Sequence, residues 1–249
     1  MILRRITQAF RRQDWFTVFV ETMIVVMGVF LGIQVANWND AQQSKAQVAD
    51  LMTRMVSEAT TTRSEMARYK EFHQEIYENA FQLALALRDK ETCIAMGDEL
   101  ITLIIGISDF PPPRFSLSNA EQAMETGSMA HIQSANVRTG IQTITDEMAF
   151  IDRQWQRYVS VKQNANQEAH RAAGVSLTGR GEMDWGASVG YDANSYELLT
   201  PENICGDTEI GALAANVAVL QKIYVNYLRE VEKALDDYLA TLSKGIEEQ

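Results

Sequence analysis

Trp15-FTVFVETMIVVMGVFLGIQVAN-Trp38 is an apolar run in which Glu21 is the only charged residue between the two tryptophans. As an α-helix rising ~1.5 Å per residue, this run would be roughly 35 Å long, which is enough to cross the hydrocarbon core of a bilayer. Tryptophan is enriched where a helix leaves the hydrocarbon, so Trp15 and Trp38 suit the role of interfacial anchors. We therefore predict a transmembrane helix over residues 15–38.

Two other structures would also contain an apolar run near an N-terminus, namely a cleaved signal peptide and a buried core helix. A signal peptide has an apolar core of ~7–15 residues, which is shorter than this run. Gln34-Val35-Ala36 is also a poor cleavage site. A buried core helix would need neither this length nor a flank of arginines. The sequence therefore favours an uncleaved membrane anchor.

The charges on either side of the run predict its orientation. Four arginines precede the run, whereas the first basic residue after it is Lys45. Residues 1–38 carry a net charge of +2 in a chain whose total is −11. Since cytoplasmic flanks are rich in Lys and Arg, we predict a single-pass protein of the bacterial inner membrane with a cytoplasmic N-terminus. Residues 1–14 would then form an amphipathic helix on the cytoplasmic membrane surface, and residues 39–249 a periplasmic domain.

Small residues inside the run indicate a helix–helix contact in the membrane. Gly28, Gly32 and Ala36 are spaced four apart, which lets a second helix approach closely. Glu21 lies seven residues before Gly28 on nearly the same face, and intramembrane carboxylates usually face protein. The open alternatives are a chance spacing of glycines and a Glu21 side chain that reaches the lipid headgroups. The predicted partners are the lipid bilayer and another membrane protein or a second copy of the chain.

The predicted exported part has the periodicity of long helices. The chain has only four prolines, three of them consecutive at Pro111–Pro113. Apolar or small residues recur in alternating steps of four and three along three stretches, which predicts amphipathic helices. These stripes are Val48, Met52, Met55, Ala59, Thr62, Met66, Tyr69, His73, Ile76, Ala80, Leu83 and Leu87; Val137, Ile141, Ile144, Met148, Ile151, Trp155 and Tyr158; and Ile210, Leu213, Val217, Leu220, Tyr224, Tyr227, Val231, Ala234 and Tyr238. We predict an all-α fold in which the helices pack as a bundle.

Local signals mark the ends of the long helices. No Pro or Gly interrupts residues 41–90, so one helix continues from the membrane over this range. The β-branched cluster at residues 60–62 is its weak point, because Thr62 and Glu65 could form a capping box that restarts the helix. Asp207 is placed to cap the last helix.

The chain between the long helices is less regular. A short helix is predicted from Asp98 to about Ile107 and another from Ser118 to Gly127, with the extended run Asp109–Pro113 between them. Residues 174–206 are rich in Gly, Ser, Asp and Asn and predict a long loop without convincing strands. Such a loop is either a surface excursion pinned by its aromatic residues or a lid over a binding site.

The chain contains two cysteines, Cys93 and Cys205. Outside the inner membrane a disulfide is permitted, and this pair would place the start of the last helix beside the end of the first. The bond would close a loop of over a hundred residues, worth about 4–5 kcal/mol in the chain-entropy model. Two buried free thiols are the alternative.

The end of the apolar run, Gly32-Ile33-Gln34-Val35-Ala36-Asn37-Trp38-Asn39-Asp40, is similar to the pattern ALQ-x-x-NWN-[ED]. The chain thereby resembles an uncharacterised family of bacterial single-pass membrane proteins, the DUF6090-like group. The stretch from Ala123 to Ile132, followed by Arg138, resembles that family's exported motif, with Glu125-Thr126 where a Ser is common before the Gly. The resemblance implies a bacterial envelope protein with a cytoplasmic N-terminus, and it brings no activity and no catalytic residues.

Motifs that carry chemistry are missing from the sequence. A net charge of −11 disfavours general nucleic-acid binding, which needs a basic face. The three histidines, His73, His131 and His170, do not have metal-binding spacing, and no nucleophile elbow or phosphate-binding loop is present. His73 falls on the first stripe, which favours a core or interface histidine. We predict no catalytic residue, no metal site and no cofactor.

Three functions are compatible with these features. The first is a non-enzymatic structural or accessory protein that associates with a partner or itself through its transmembrane helix and helical bundle. The alternative is a periplasmic ligand-binding, sensor-like module that acts through a separate partner, with a pocket lined by Trp155, Tyr158 and the 174–206 loop. An envelope enzyme would require a cleft that brings His131 or His170 together with carboxylates.

Overall fold

A computed structural model describes residues 15–107, 110–177, 196–198 and 203–247 of the chain. This part of the chain is all-α, as predicted, apart from one two-stranded ribbon. The helices are α1 (Trp15–Ala86), α2 (Lys90–Ala95), α3 (Asp98–Gly106), α4 (Ser118–Glu125), α5 (Ala135–Ala173) and α6 (Thr208–Glu247), with a 3₁₀ helix at Ser128–His131 and strands β1 (Val175–Leu177) and β2 (Tyr196–Leu198).

The chain divides into two compact units, and the boundary falls inside α1 between Leu51 and Met52. The first unit contains the apolar segment, residues 18–38, whose side chains are all exposed. Within the described ranges, α1 is the one helix long and apolar enough to cross a membrane. The predicted amphipathic helix over residues 1–14 lies outside the described residues. The second unit, called the bundle below, comprises residues 52–247 as described.

The capping box predicted at Thr62 does not form, because α1 continues through this point without interruption. The hydroxyls of Thr60 and Thr61 donate to carbonyl oxygens four residues earlier in the helix, at 2.7 and 3.1 Å. The Thr62 hydroxyl donates instead to the Ser116 carbonyl oxygen at 3.0 Å. Hydroxyls that bond within the helix or to a neighbouring segment leave no reason for the helix to restart.

The bundle is built on α1, α5 and α6. Ion pairs of Arg63 with Asp236 and of Lys70 with Glu232 show that α6 runs antiparallel to the bundle part of α1. A Cβ atom on Gly245, near the end of α6, would lie 2.5 Å from a methyl carbon of the α5 residue Val137 and 2.8 Å from the Met52 methyl.

The direction of α5 was not evident from the sequence. Gly140, in the second turn of α5, lies against Tyr238 and Thr241 near the end of α6. Farther along, the Tyr158 ring packs on Tyr224 with centroids 5.4 Å apart. Helix α5 is therefore antiparallel to α6 and parallel to the bundle part of α1.

Between α3 and α4 the chain returns along α1 in an extended form, and we call residues 110–117 the return segment. The Tyr69 hydroxyl donates to the Pro111 carbonyl oxygen at 2.9 Å. One end of α4 is then capped by α1, since Glu58 accepts from the Ser118 hydroxyl at 2.6 Å and from the Asn119 amide at 3.0 Å. The consecutive prolines exclude helix here, so the segment is held by α1 rather than by its own backbone.

The buried stripe of α6 differs from the predicted one in its second row. The first row is buried as predicted: Ile210, Val217, Tyr224, Val231 and Tyr238. The second row was predicted three residues beyond each of these, but the buried positions lie four residues beyond: Ala214, Gln221, Leu228, Leu235 and Leu242. Helix α6 packs against both α1 and α5, so its buried face is broader than a two-helix seam.

The ends of the last two long helices follow local rules. Asp207 caps α6 as predicted, because its carboxylate accepts from the Glu209 and Ile210 amides at 2.8 and 3.0 Å. Helix α5 ends at Gly174, whose φ of 63° is a left-handed conformation that glycine adopts without steric cost.

The predicted 174–206 loop contains short strands that the sequence reasoning did not identify. β1 and β2 pair antiparallel, with Val175 opposite Leu198 and Leu177 opposite Tyr196. Most of the loop, including its predicted role as a surface excursion or a lid, lies outside the described residues.

The predicted cysteine pair is present, since Cys93 and Cys205 are joined in a disulfide with Cα atoms 5.5 Å apart. Both cysteines are buried in an apolar cluster formed where α1 ends and α6 begins. The cluster also contains Ala80, Leu83, Leu87, Leu100, Leu103, Ile104, Ile107, Ile204, Ile210, Ala214, Val217 and Ala218. The disulfide therefore ties the start of α6 to the short helices that follow α1.

Candidate functional site

The predicted contact residues of the transmembrane helix share one exposed face of α1. At 100° per residue, Glu21, Gly28, Gly32 and Ala36 fall within about 80° of the helix circumference. All four are exposed, and a Cβ atom added at Gly28 or Gly32 would meet nothing within 4 Å. Trp38 is 66% exposed, and Trp15 is the first residue of α1. The face therefore has room for another helix.

A second candidate site lies inside the bundle and is here called the His73 centre. It joins α1, the return segment, α5 and α6 through aromatic rings and buried polar groups. Its members are Tyr69, His73, Phe110, Trp155, Tyr158, Lys162, Gln221 and Tyr224. His73 and Tyr224 have no exposed surface, and Gln221 and Lys162 are only 3% and 4% exposed.

Gln221 determines which nitrogen of His73 carries the proton. The Gln221 amide nitrogen lies 3.1 Å from the His73 carbonyl oxygen, which can only accept, so this nitrogen is a donor. The same nitrogen lies 2.5 Å from His73 Nδ1. Nδ1 is therefore the acceptor, and the proton of the neutral ring resides on Nε2.

Two buried N–H groups at the centre have no hydrogen-bond partner. They are His73 Nε2 and Trp155 Nε1. Each unpaired buried donor costs about 1–3 kcal/mol, so the surrounding packing must offset this cost. The centre is thus polar without being fully satisfied, which distinguishes it from the apolar cluster around the disulfide.

The two tyrosines form a directed chain of hydroxyls. Tyr69 donates to the Pro111 carbonyl oxygen, so the Tyr224 hydroxyl, 3.3 Å away, donates to Tyr69. Burial raises the pKa of both tyrosines well above the ordinary value of 10.0, and both remain neutral. This chain fastens the return segment to α1 and α6.

Phe110 fills the middle of the centre. Its ring centroid lies 5.0 Å from that of His73, 5.7 Å from that of Tyr224 and 6.3 Å from that of Trp155. The Lys162 ammonium lies over the same ring, 4.5 Å from its centroid, in a cation–π contact. The space between Trp155 and Tyr224 is therefore occupied by a side chain of the protein itself.

The other histidines lie apart from this centre in the chain and carry no comparable cluster. His131 is exposed in the 3₁₀ helix, and His170 is half-buried near the end of α5. Burial lowers the pKa of His170 below its ordinary value of 6.5. Over the residues that the structure describes, no group of three or more His, Cys, Asp or Glu side chains could hold a metal ion.

Sequence reasoning placed His73, Trp155 and Tyr158 on buried stripes but missed Lys162, Gln221 and Phe110 as members of one centre. Lys162 follows Tyr158 at the same four-residue step, so its position on the stripe was visible. Gln221 belongs to the displaced second row of α6. Phe110 could not be placed, because the path of the return segment depends on contacts with α1.

Comparison with family models, with curated proteins and with solved structures finds no match to this chain. The functional argument therefore starts from the exposed face of α1 and from the His73 centre.

Proposed function

We propose that this chain is a non-enzymatic, single-pass structural or accessory protein of the bacterial inner membrane. In this proposal the N-terminus is cytoplasmic, the apolar segment spans the bilayer and the helical bundle lies in the periplasm. The protein would act by associating with another membrane protein or with a second copy of itself. The observation that carries the proposal is the exposed apolar segment within a helix whose later part packs in the bundle.

The apolar segment is unsuited to water. Phe19, Ile24 and Val25 are each 64–65% exposed, and most other large apolar side chains of the segment are exposed to a similar degree. Moving one such side chain out of water is worth about 1.5–3 kcal/mol, so a run of this length needs lipid or protein around it. A helix satisfies its own backbone hydrogen bonds, which permits insertion into lipid.

The disulfide supports placing the bundle in an oxidising compartment. Disulfides persist outside the cytoplasm, where thiols are not kept reduced, and the bacterial periplasm is such a place. Cys93 and Cys205 both belong to the bundle and are joined there. The four arginines before the apolar segment support the same orientation through the positive-inside rule.

The location is tested with a C-terminal epitope tag in a bacterial host. We expect the protein to stay in the membrane pellet after alkaline carbonate washing. A protease added to intact spheroplasts should remove the tag, whereas it should spare a cytoplasmic marker protein. Recovery of the chain in the soluble fraction, or a tag protected in spheroplasts and cleaved only after lysis, would contradict the proposed topology.

Replacing Gly32 by Leu tests the proposed association through the membrane helix. A leucine side chain would separate helices that approach along the Gly28–Gly32–Ala36 face, and we expect at least a tenfold loss of co-purified partner or self-association in mild detergent. Phe30→Leu is the matched control, because residue 30 lies on nearly the opposite side of the helix. Equal association of both variants and the wild type would exclude this face as the contact.

The sensor-like alternative is less well supported by the bundle. The predicted pocket between Trp155 and Tyr158 would need open space, but Phe110 stacks on Trp155 and Tyr158 packs on Tyr224. Lys162 and the unpaired N–H groups of His73 and Trp155 are the features that would favour a ligand. A ligand at this place would have to displace Phe110.

A further inference from the structure

Three long elements and the return segment meet at a histidine that has no way to accept a second proton without losing a contact. His73 of α1 is fully buried, and its Nδ1 already accepts from Gln221 of α6. A second proton would have to bind at Nδ1, where it would point at the donor nitrogen of Gln221. The hydrogen bond between α1 and α6 would then become a repulsion between two N–H groups.

We propose that this contact makes the bundle acid-sensitive: protonation of His73 releases α1 from α6 at Gln221 and loosens the return segment held at Phe110. The disulfide joins the start of α6 to the short helices after α1, so the two helices remain linked while they separate around His73. The centre is thus a conformational device that responds to pH below about 6.5.

The groups facing His73 from the packed elements do not offer a compensating negative charge. Tyr69 of α1 and Tyr224 of α6 face it as neutral hydroxyl-bearing rings, with centroids 4.3 and 4.9 Å away. The return segment contributes the Phe110 ring, and α5 contributes the cation Lys162. Asp152 of α5, an exposed carboxylate, acts on Tyr224.

Burial lowers the pKa of His73 well below 6.5, and the charge of Lys162 lowers it further. In the unfolded chain the same ring has its ordinary value of 6.5. The unfolded state therefore binds one more proton than the folded state below pH 6.5, and stability rises with pH through this window. Each pH unit of acidification below 6.5 should raise the unfolding equilibrium constant by up to tenfold until the folded-state pKa is reached.

The test uses the full chain in mild detergent, with chemical unfolding followed by far-ultraviolet circular dichroism between pH 7.5 and 5.0. Wild type should lose stability below pH 6.5 at up to tenfold per unit. His73→Asn keeps an acceptor oxygen near the Nδ1 position but cannot titrate, so its profile should be flatter by that factor. His131→Asn and His170→Asn are matched controls, and each should remove much less of the pH dependence.

Gln221→Glu provides a variant with the opposite sign. A carboxylate at this position would accept a proton from Nδ1, so the charged imidazole gains a partner and the acid-induced loss below pH 6.5 should disappear or reverse. A profile for Gln221→Glu that still parallels the wild type would overturn the proposal.

A nuclear magnetic resonance titration of the wild type keeps the proposal testable if the His73→Asn variant does not fold. The His73 ring nitrogens should report the neutral ring protonated at Nε2 in the folded state down to about pH 5. Titration of this ring near 6.5 without any change in the bundle, or equal pH dependence of wild type and a folded His73→Asn variant, would overturn the proposal.

Discussion

Replacing Cys93 and Cys205 together by alanine is expected to lower the free energy of unfolding of the bundle by about 4–5 kcal/mol, because their disulfide closes a long loop. The two residues are 112 positions apart, so the unfolded chain loses much conformational freedom when they are joined. Alanine suits the apolar surroundings of both positions and leaves no unpaired polar group. Urea unfolding of the full chain in mild detergent, followed by circular dichroism, measures the loss.

The single variant Cys93→Ala is the control for this prediction. It breaks the same bond and leaves one thiol at Cys205, so it should lose nearly as much stability as the double variant. Wild-type protein unfolded in the presence of a reductant should behave similarly. If the double variant unfolds within about 1 kcal/mol of the oxidised wild type, the loop-closure explanation is wrong.

Replacing Tyr224 by alanine is expected to lower the free energy of unfolding by about 3–5 kcal/mol, the usual cost of truncating a buried aromatic side chain. Tyr224 has no exposed surface and contacts rings from three other elements: His73 of α1, Phe110 of the return segment and Tyr158 of α5. The cavity left by alanine would therefore open at the meeting point of the bundle. Chemical unfolding monitored by circular dichroism measures the change.

Tyr224→Phe separates packing from hydrogen bonding at the same position. It removes only the hydroxyl that donates to Tyr69, so we expect a loss of about 0.5–1.5 kcal/mol. Tyr227→Ala is a second control, because Tyr227 is only half-buried and packs on Phe150 at 5.1 Å. A loss for Tyr227→Ala that equals the loss for Tyr224→Ala would show that the His73 centre has no special weight in the bundle.

Much of the fold could be predicted because helices declare themselves locally. Met52, Met55 and Met66 of the first stripe and Val137 and Ile141 of the second are fully buried, as their alternating spacing indicated. The α-helical period places such residues on one side whatever partner covers them. The Asp207 cap also uses only neighbouring residues, so it could be recognised without tertiary information.

Predictions that depended on a distant partner were weaker. Thr62 had the local signature of a cap, but its hydroxyl found the Ser116 carbonyl oxygen, 54 positions along the chain. The second row of α6 was assigned by a two-helix spacing, whereas packing against both α1 and α5 buries Gln221 instead of Leu220. In both cases the local rule was valid, and a contact made by another element decided the outcome.

The candidate sites divide in the same way. The face of Glu21, Gly28, Gly32 and Ala36 follows from spacing along one helix, and its proposed contact is open to test by substitution. The His73 centre needed four elements to be placed before its hydrogen bonds and its unpaired N–H groups could be seen.

The amino-acid sequence by itself determined the apolar segment, the helical periods of the three long helices and the presence of two cysteines that could pair. Each of these is a property of neighbouring residues or of composition. The direction of α5, the path of residues 110–117 and the proton position on His73 were decided only by tertiary structure. They depend on which side chains meet across more than a hundred residues, and the packing of all elements at once selects those contacts.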